Sequence, residues 1–248
     1  IYTFSMVEFV ERIFQRFDQE HNSSLFAYGT VDEAVFSDDA LLPLMEKLYE
    51  ARYRAMPADI LGNTYEQYLG KTLAYEDGSV TTRDNLETRK KQGSYYTPQV
   101  IVRHIVDNSL GRYLYGTSNG KADGDLIEGE TRKTSADIRD LRVLDSACGS
   151  GSFLIYAYYV LAEFYQSEIR RMNDEMNAEV RRLAAAGTSQ LDIRIAVAPT
   201  EAEVQRIQNY PRLILENHLY GVDLDPQAAE IAVVNLIMRA MERKGTKA

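Results

Sequence analysis

The sequence predicts an α/β protein dominated by helices, in which a helical N-terminal module leads into the first part of a Rossmann-like sheet. Residues 141–153, L-R-V-L-D-S-A-C-G-S-G-S-F, combine an apolar strand, an acid and a small-residue loop, and an apolar helical stretch follows. A second strand, predicted at His218–Val222, also ends in an acid, Asp223. A strand, a glycine turn and a helix form the nucleotide-binding corner of doubly wound folds.

Composition excludes several classes of protein. The 248 residues are 45% hydrophobic and 26% charged, as in ordinary globular proteins. The formal charge of −9 argues against a chain that wraps nucleic acid along its whole length. The sequence contains neither a signal peptide nor an apolar run of the ~18 residues that a membrane span requires. A single cysteine excludes an internal disulfide, so we expect a cytoplasmic protein without membrane contact.

Residues 1–92 are predicted to form the helical module. Apolar side chains recur with a helical period over Phe4–Phe17 and Leu41–Tyr49. A third helix is expected over Asp59–Leu69, with Gly70 as its end. Asp77-Gly78 separates two short strands and predicts a hairpin.

Residues 93–248 are predicted to form the second domain. Thr97-Pro98 is expected to start a helix, with the threonine as N-cap and the proline in the first turn, and Gly111 to end it. The residues expected to be buried on this helix are Val100, Ile101, Ile105, Val106 and Leu110. The polar stretch Tyr115–Asp140 is expected to be a mobile loop.

The helix after the small-residue loop is predicted to be unusually long. Its apolar stripe continues past Phe164 to Leu183, and Ala186-Gly187-Thr188 would end it. A helix of ~30 residues is ~45 Å long and would extend beyond its sheet. A linker with one or two short helices then leads to the second strand and a helix over Pro226–Met241. The residues expected to face inward from that last helix are Ala229, Ile231, Ala232, Val234, Leu236 and Ile237.

The loop pattern discriminates between nucleotides. Asp145 ends the first strand and points to the crevice where ligands of open α/β sheets bind, and it could at the same time cap the turn at Ser146–Gly149. The dinucleotide fingerprint G-x-G-x-x-G fits Gly149 and Gly151 but meets Leu154 where a third glycine is needed. Asp223 could accept both hydroxyls of a ribose. Cys148 is expected to fill space, and the three histidines and the single cysteine show no metal-ligand spacing.

Three stretches in order resemble a known family. They are Gly93-Ser94-Tyr95-Tyr96-Thr97-Pro98, residues 145–153 as D-S-A-C-G-S-G-S-F, and residues 221–226 as G-V-D-L-D-P. This order resembles the amino-methyltransferase signatures of adenine-specific DNA methyltransferases, above all the fused restriction–methylation (type II-G-like) enzymes. Ala58–Gly62 and Tyr65–Gly70 also resemble the helical lead-in of that family.

The resemblance implies S-adenosylmethionine as cofactor and assigns roles to particular positions. Asp145 would lie near the methionine ammonium, Asp223 would hold the ribose and Leu224 would pack on the adenine. The small-residue loop would wrap the methionine portion, with Phe153 closing the signature and the G-x-Y-[YF]-T-P stretch lying over its methionine end. The implied cofactor-binding residues are Tyr95, Tyr96, Thr97, Pro98, Asp145, Ala147, Cys148, Gly149, Ser150, Gly151, Phe153, Asp223 and Leu224.

One family element is missing from the sequence. Members transfer the methyl group at an N-P-P-[YF] loop, and none of the six prolines here belongs to a Pro-Pro pair. We therefore expect no catalytic residue and no methyl transfer from this polypeptide alone. The parent would act on double-stranded DNA through further methyltransferase, target-recognition and nuclease parts. A cofactor-sensing or assembly module without chemistry remains the main alternative, with a small-molecule methyltransferase or an oxidoreductase as a third.

Overall fold

The structure is a computed structural model that describes residues 6–21, 38–50, 62, 64–65, 71–76, 79–84 and 97–241. In the N-terminal part, α1 covers Met6–His21 and α2 covers Asp38–Glu50, close to the two predicted helices. Strands β1, Lys71–Glu76, and β2, Ser79–Asp84, pair antiparallel, which confirms the hairpin. The third predicted helix lies mostly outside the described residues, although Gly62, Thr64 and Tyr65 are helical.

The first helix of the second part starts and ends later than predicted. It comprises α3 (Gln99–Val106), a π-helical turn (Asp107–Gly111) and α4 (Arg112–Tyr115). Pro98, not Thr97, occupies the N-cap, with an extended ψ of 138° and no side-chain cap. Gly111 keeps a helical φ of −60°, and the helix ends at Gly116, whose φ of 65° is left-handed. Both predicted end points were therefore wrong, because the backbone turns at the neighbouring proline and at the later glycine.

The buried face of α3 also differs from the prediction. Val102 is fully buried, and Val106 and Leu110 are buried as expected. Val100 is 73% exposed, however, and Ile101 and Ile105 are each 46% exposed, so these three assignments were wrong. Five of the eight residues of α3 are apolar and they lie on more than one side of the helix, so the helical period alone could not identify the side that meets α5.

The segment Tyr115–Asp140 has the irregular backbone that its composition predicts, but it packs instead of lying free. Ile138 is fully buried and Thr117 is 3% exposed. The backbone amide of Ser135 donates to Glu168 at 3.1 Å, which attaches the segment to the long helix. The expectation of a mobile loop overlooked these internal partners.

The described residues after Asp140 contain a two-stranded parallel sheet and four α-helices. Strand β3 covers Val143–Asp145 and β4 covers Leu219–Gly221. The helices are α5 (Ser152–Ala185), α6 (Gln190–Ile207), α7 (Tyr210–Leu213) and α8 (Pro226–Met241). Helix α5 has 34 residues and is therefore about 51 Å long. No helix in the described ranges is long and apolar enough to cross a membrane.

The predictions for these helices were largely correct. Helix α8 has the predicted bounds, and Gly187, with φ of 76°, follows the end of α5 as expected. The amide of Thr188 donates to the Leu183 carbonyl at 3.1 Å, which closes that last turn. The linker predicted after α5 contains a longer helix than expected. This helix is α6, which packs along α5. Helix-dominated α/β architecture with a parallel β3–β4 pair is confirmed.

His218 joins the starts of the two strands inside the core. Its side chain is 1% exposed. Nδ1 lies 2.7 Å from the carbonyl oxygen of Leu141, so it must carry the proton and donate, since a carbonyl only accepts. Nε2 lies 2.7 Å from the Tyr165 hydroxyl, which donates to it. The histidine is structural, and burial lowers its pKa.

The buried histidine predicts a loss of stability in mild acid. The unfolded chain takes up a proton as the pH falls through about 6.5, whereas folded His218 resists protonation, so the free energy of unfolding decreases below that pH. For one proton, the free energy of unfolding changes by at most about 1.4 kcal/mol per pH unit. Urea unfolding of the wild type and of His218→Gln between pH 7 and 5.5 measures it. The matched control is His104→Gln, which removes an exposed histidine of α3; an equal slope in all three proteins would contradict the prediction.

Candidate cofactor-binding site

The two predicted acids follow adjacent strands. Asp145 is the last residue of β3 and is paired in register with Gly221, the last residue of β4. Beyond the strands, the Val222 amide donates to the Asp145 carbonyl and the Cys148 amide donates to the Val222 carbonyl, each at 2.9 Å. The loops that leave the two strands are therefore hydrogen-bonded to each other.

Asp223 connects these loops through its carboxylate. Oδ2 accepts the amide of Gly149 at 2.7 Å, and Oδ1 accepts the amide of Asp225 at 2.9 Å. The side chain thus bridges the small-residue loop and the start of α8. Because each carboxylate oxygen has two acceptor sites, one hydrogen bond to each leaves capacity for a ligand hydroxyl.

Asp145 caps its own turn. Its Oδ1 accepts the amide of Ala147 at 3.1 Å, which is the structural role that the sequence left open. An Asp that bonds the backbone two residues on is a common turn device. The second role, at a ligand ammonium, uses the same half-buried carboxylate and stays a prediction.

The loop requires glycine at two positions, for different physical reasons. Gly149 has φ of 52° and Gly151 has φ of 93°, both left-handed. A Cβ at Gly151 would lie 3.0 Å from the Cβ of Ala232, so α8 packs closely there. Nothing lies within 4 Å of a Cβ at Gly149. Gly149 therefore presents open backbone, and Gly151 starts α5 in contact with α8.

Cys148 is buried between the two acids. Burial raises the pKa of its thiol to about 11, and the negative charges of Asp145 and Asp223 act in the same direction. The two carboxylates accept the amides of Ala147 and Gly149, the residues on either side of the cysteine, so both border the same loop. The cysteine sulfur would also be 3.0 Å from a Cβ at Gly221, which explains the glycine before the second acid. The geometry agrees with a space-filling cysteine.

The raised pKa predicts slow alkylation of Cys148. Two pKa units lower the thiolate fraction a hundredfold near neutral pH, and the greater nucleophilicity of a more basic thiolate restores about half of that effect on a logarithmic scale. Iodoacetamide should therefore react about tenfold more slowly than with the urea-unfolded chain, before steric protection is counted. Mass spectrometry follows the reaction between pH 7 and 10. A folded rate equal to the unfolded rate would contradict this environment.

Leu224 and Phe153 border solvent and a cavity, respectively. Leu224 is 97% exposed. Phe153 and Asp145 line an apolar cavity of about 300 Å³ together with residues of α3, including Ile105. The helix that follows Thr97 and Pro98 thus lies beside the end of β3. Tyr95 and Tyr96 lie outside the described residues.

Sequence reasoning missed the role of Asn235. It is fully buried on α8 and donates from Nδ2 to the carbonyl oxygen of Ser150 at 3.1 Å. Ser150, which was predicted, is itself buried. The detectable signal was a polar residue within an otherwise apolar helix face. Asn235 therefore attaches the small-residue loop to α8.

The chain is similar to known DNA methyltransferases. Residues 124–246 match the model of the MmeI DNA-methyltransferase domain. The chain is 23% identical over 240 residues to the type II restriction enzyme and methyltransferase RM.Eco57I of Escherichia coli, which covers 93% of the chain and 20% of the relative. It is 23% identical over 227 residues to the adenine-specific methyltransferase BrxX of E. coli O9:H4 (strain HS), covering 85% of the chain and 16% of that protein.

A third relative is the adenine-specific methyltransferase PglX of Lacticaseibacillus casei (strain Zhang), 26% identical over 165 residues, or 58% of the chain and 11% of the relative. The chain thus spans a fifth or less of the length of these relatives. The domain match covers two of the three signature stretches, at residues 145–153 and 221–226. Residues 124–246 belong to the MmeI DNA-methyltransferase domain family, and the chain is similar to adenine-specific methyltransferases and to a fused restriction enzyme and methyltransferase.

Proposed function

We propose that this chain is the S-adenosylmethionine-binding part of a DNA adenine-N6 methyltransferase of a restriction–modification system. The observation that carries the proposal is the pair of acids, Asp145 and Asp223, which follow adjacent parallel strands and border one loop. Family membership supports methyl transfer to DNA as the chemistry of the parent protein. A Rossmann-like sheet, built outward from β3 and β4, would be the fold that carries it.

The described residues suit the cofactor. The open backbone at Gly149 allows close approach of the methionine portion, whose ammonium would meet Asp145. Asp223 would accept the ribose hydroxyls with its remaining lone pairs, and exposed Leu224 offers an apolar surface to the adenine. Around them, further contacts would come from Tyr95, Tyr96, Thr97, Pro98, Ala147, Cys148, Ser150, Gly151 and Phe153.

The division of chemical labour follows from these roles. When bound, S-adenosylmethionine supplies a sulfonium-activated methyl group to an amine nucleophile. The residues of this chain bind and orient it: Asp223 fixes the ribose end, and the loop from Ala147 to Gly151 fixes the other end. The target adenine would have to leave the duplex to reach such a site.

We further propose that the polypeptide transfers no methyl group by itself. An N-P-P-[YF] loop would supply the acceptors that hold the target amine, and the 248 residues contain no Pro-Pro pair. The DNA contacts, the target-recognition part and any nuclease would come from other regions of a cytoplasmic parent protein. A non-catalytic sensing or assembly module is the second candidate, which the extended α5–α6 hairpin favours. An N-P-P-[YF] motif within about a hundred codons after Ala248 would support the methyltransferase over the non-catalytic module.

Calorimetric titration tests the cofactor assignment. We expect the chain, or the longer protein that contains it, to bind S-adenosylmethionine with a 1:1 stoichiometry and to bind NAD much more weakly. NAD competes as the ligand of the alternative dinucleotide site. Tighter binding of NAD, or no binding of S-adenosylmethionine by the whole parent protein, would refute the proposal.

A further inference from the structure

Tyr65 reaches the candidate site from the N-terminal part of the chain. Its hydroxyl donates to Oδ2 of Asp225 at 2.6 Å and lies 3.2 Å from Oε1 of Gln227. Both partners belong to the start of α8, 160 residues later in the sequence. A hydroxyl–carboxylate bond of this length is charge-assisted and stronger than a neutral hydrogen bond.

Asp225 is in turn bonded to the second acid of the site. Its Oδ1 accepts the amide of Gln227 at 3.1 Å and so caps α8. Its own amide donates to Oδ1 of Asp223 at 2.9 Å, while Oδ2 of Asp223 accepts the amide of Gly149 at 2.7 Å. A continuous series of hydrogen bonds therefore leads from Tyr65 through Asp225 and Asp223 to the small-residue loop.

The same short segment makes a second contact with that loop. Gly62 is buried, and a Cβ there would lie 2.6 Å from the Cβ of Ser150. Only glycine permits this approach. The carbonyl oxygen of Ser150 also accepts a hydrogen bond from Asn235, whose Nδ2 would lie 3.5 Å from the same Cβ at Gly62. Gly62 and Tyr65 thus contact both ends of the arrangement, Gly62 at the loop and Tyr65 at the start of α8.

Repulsion between two neighbouring carboxylates explains why the Tyr65 hydroxyl matters. Asp223 and Asp225 are two residues apart, and their carboxylates repel each other. Each keeps a fixed orientation only while donors hold it. Asp225 is held by the Gln227 amide on one oxygen and by Tyr65 on the other. Without the hydroxyl, the Asp225 side chain and the backbone amide that orients Asp223 gain freedom.

We propose that Tyr65 is a positioning residue of the cofactor site: through Asp225 it orients Asp223, so the N-terminal part of the chain sets the affinity for the ribose end of the cofactor. The identity of the ligand in this inference rests on the proposed function. The orientation of Asp223 by Tyr65 does not depend on which ligand binds. Tyr65 touches no ligand in this scheme and acts only through Asp225.

The first experiment needs no ligand. Amide hydrogen exchange by NMR compares the wild type with Tyr65→Phe, which removes only the hydroxyl. Exchange at Gly149 and Asp225, whose amides are bonded to Asp223, should accelerate about three- to tenfold, the range expected for one lost hydrogen bond. Tyr75→Phe is the control, because Tyr75 is 76% exposed on β1. Unchanged exchange in Tyr65→Phe would overturn the inference.

The second experiment separates positioning from general packing. S-adenosylhomocysteine and its 2′-deoxy analogue are titrated into both variants and the wild type. If Tyr65 positions Asp223, Tyr65→Phe lowers the wild-type preference for the ribose form about three- to tenfold, whereas Tyr75→Phe does not. Equal weakening of both ligands would mean a packing role only and would overturn the inference. Failure of the whole parent protein to bind either ligand would refute the proposed function instead, and the exchange data would still decide the positioning role.

Discussion

Replacing Asp223 with alanine is expected to weaken S-adenosylmethionine binding by a hundredfold or more. In the proposed site the carboxylate accepts both ribose hydroxyls, and a hydrogen bond to a charged group contributes about 1.5–3 kcal/mol. Two such bonds correspond to at least two orders of magnitude in the dissociation constant. The alanine also deprives the amides of Gly149 and Asp225 of their acceptor, which loosens the loop at the methionine end.

Calorimetry with three variants measures this effect. Asp223→Asn retains one carbonyl oxygen and should lose less affinity than Asp223→Ala. Asp174→Ala, an exposed position on α5, is the matched control and should bind as the wild type does. Thermal unfolding of each variant separates lost binding from lost structure. Wild-type affinity in Asp223→Ala would rule out the ribose role.

Local sequence signals predicted the parts of the fold that depend on local chemistry. Asp225-Pro226 gave the start of α8, because an acid followed by proline suits the first turn of a helix. The apolar strands with terminal acids located β3 and β4 and, with them, Asp145 and Asp223. Each of these features depends on a few neighbouring residues.

Features set by distant partners could not be predicted in the same way. The exposed side of α3, with Val100 and Ile105, is determined by where α5 lies. The packed segment after Tyr115 depends on Glu168, which the sequence shows only as one more charged residue of a long helix. In the site, the resemblance to a helical lead-in included Tyr65, but its bond to Asp225 spans 160 residues. A contact of that range leaves no periodic signal in a single sequence.

Glu168 is the charge on which the attachment of that segment depends. It is fully buried in the middle of α5. Arg171, one turn later, binds it with two hydrogen bonds, from Nε at 3.0 Å and from Nη2 at 2.9 Å. Arg132, from the segment itself, lies 3.7 Å away, and the amide of Ser135 donates to it. These hydrogen bonds with Glu168 raise the pKa of Arg171, which therefore stays charged.

Arg171→Met is expected to lower the free energy of unfolding by about 2–3 kcal/mol. Removing one partner of a buried pair leaves the other charge without compensation, which costs about 3–5 kcal/mol in full burial. The Arg171 side chain is 37% exposed, and Arg132 remains as a weaker partner of Glu168. We therefore expect a loss of about 2–3 kcal/mol, at or below the lower end of that range. Urea unfolding at pH 7 measures the loss.

Two further variants make the test specific. Glu168→Gln combined with Arg171→Met removes the uncompensated charge but keeps an acceptor for the Ser135 amide, so it should regain part of the lost stability. Arg182→Met breaks an ion pair with Glu179 at the exposed end of α5 and should leave the free energy of unfolding nearly unchanged, because water screens exposed pairs. If Arg171→Met were as mild as Arg182→Met, or the double variant less stable than Arg171→Met, the burial of an uncompensated carboxylate would not explain the stability of this junction.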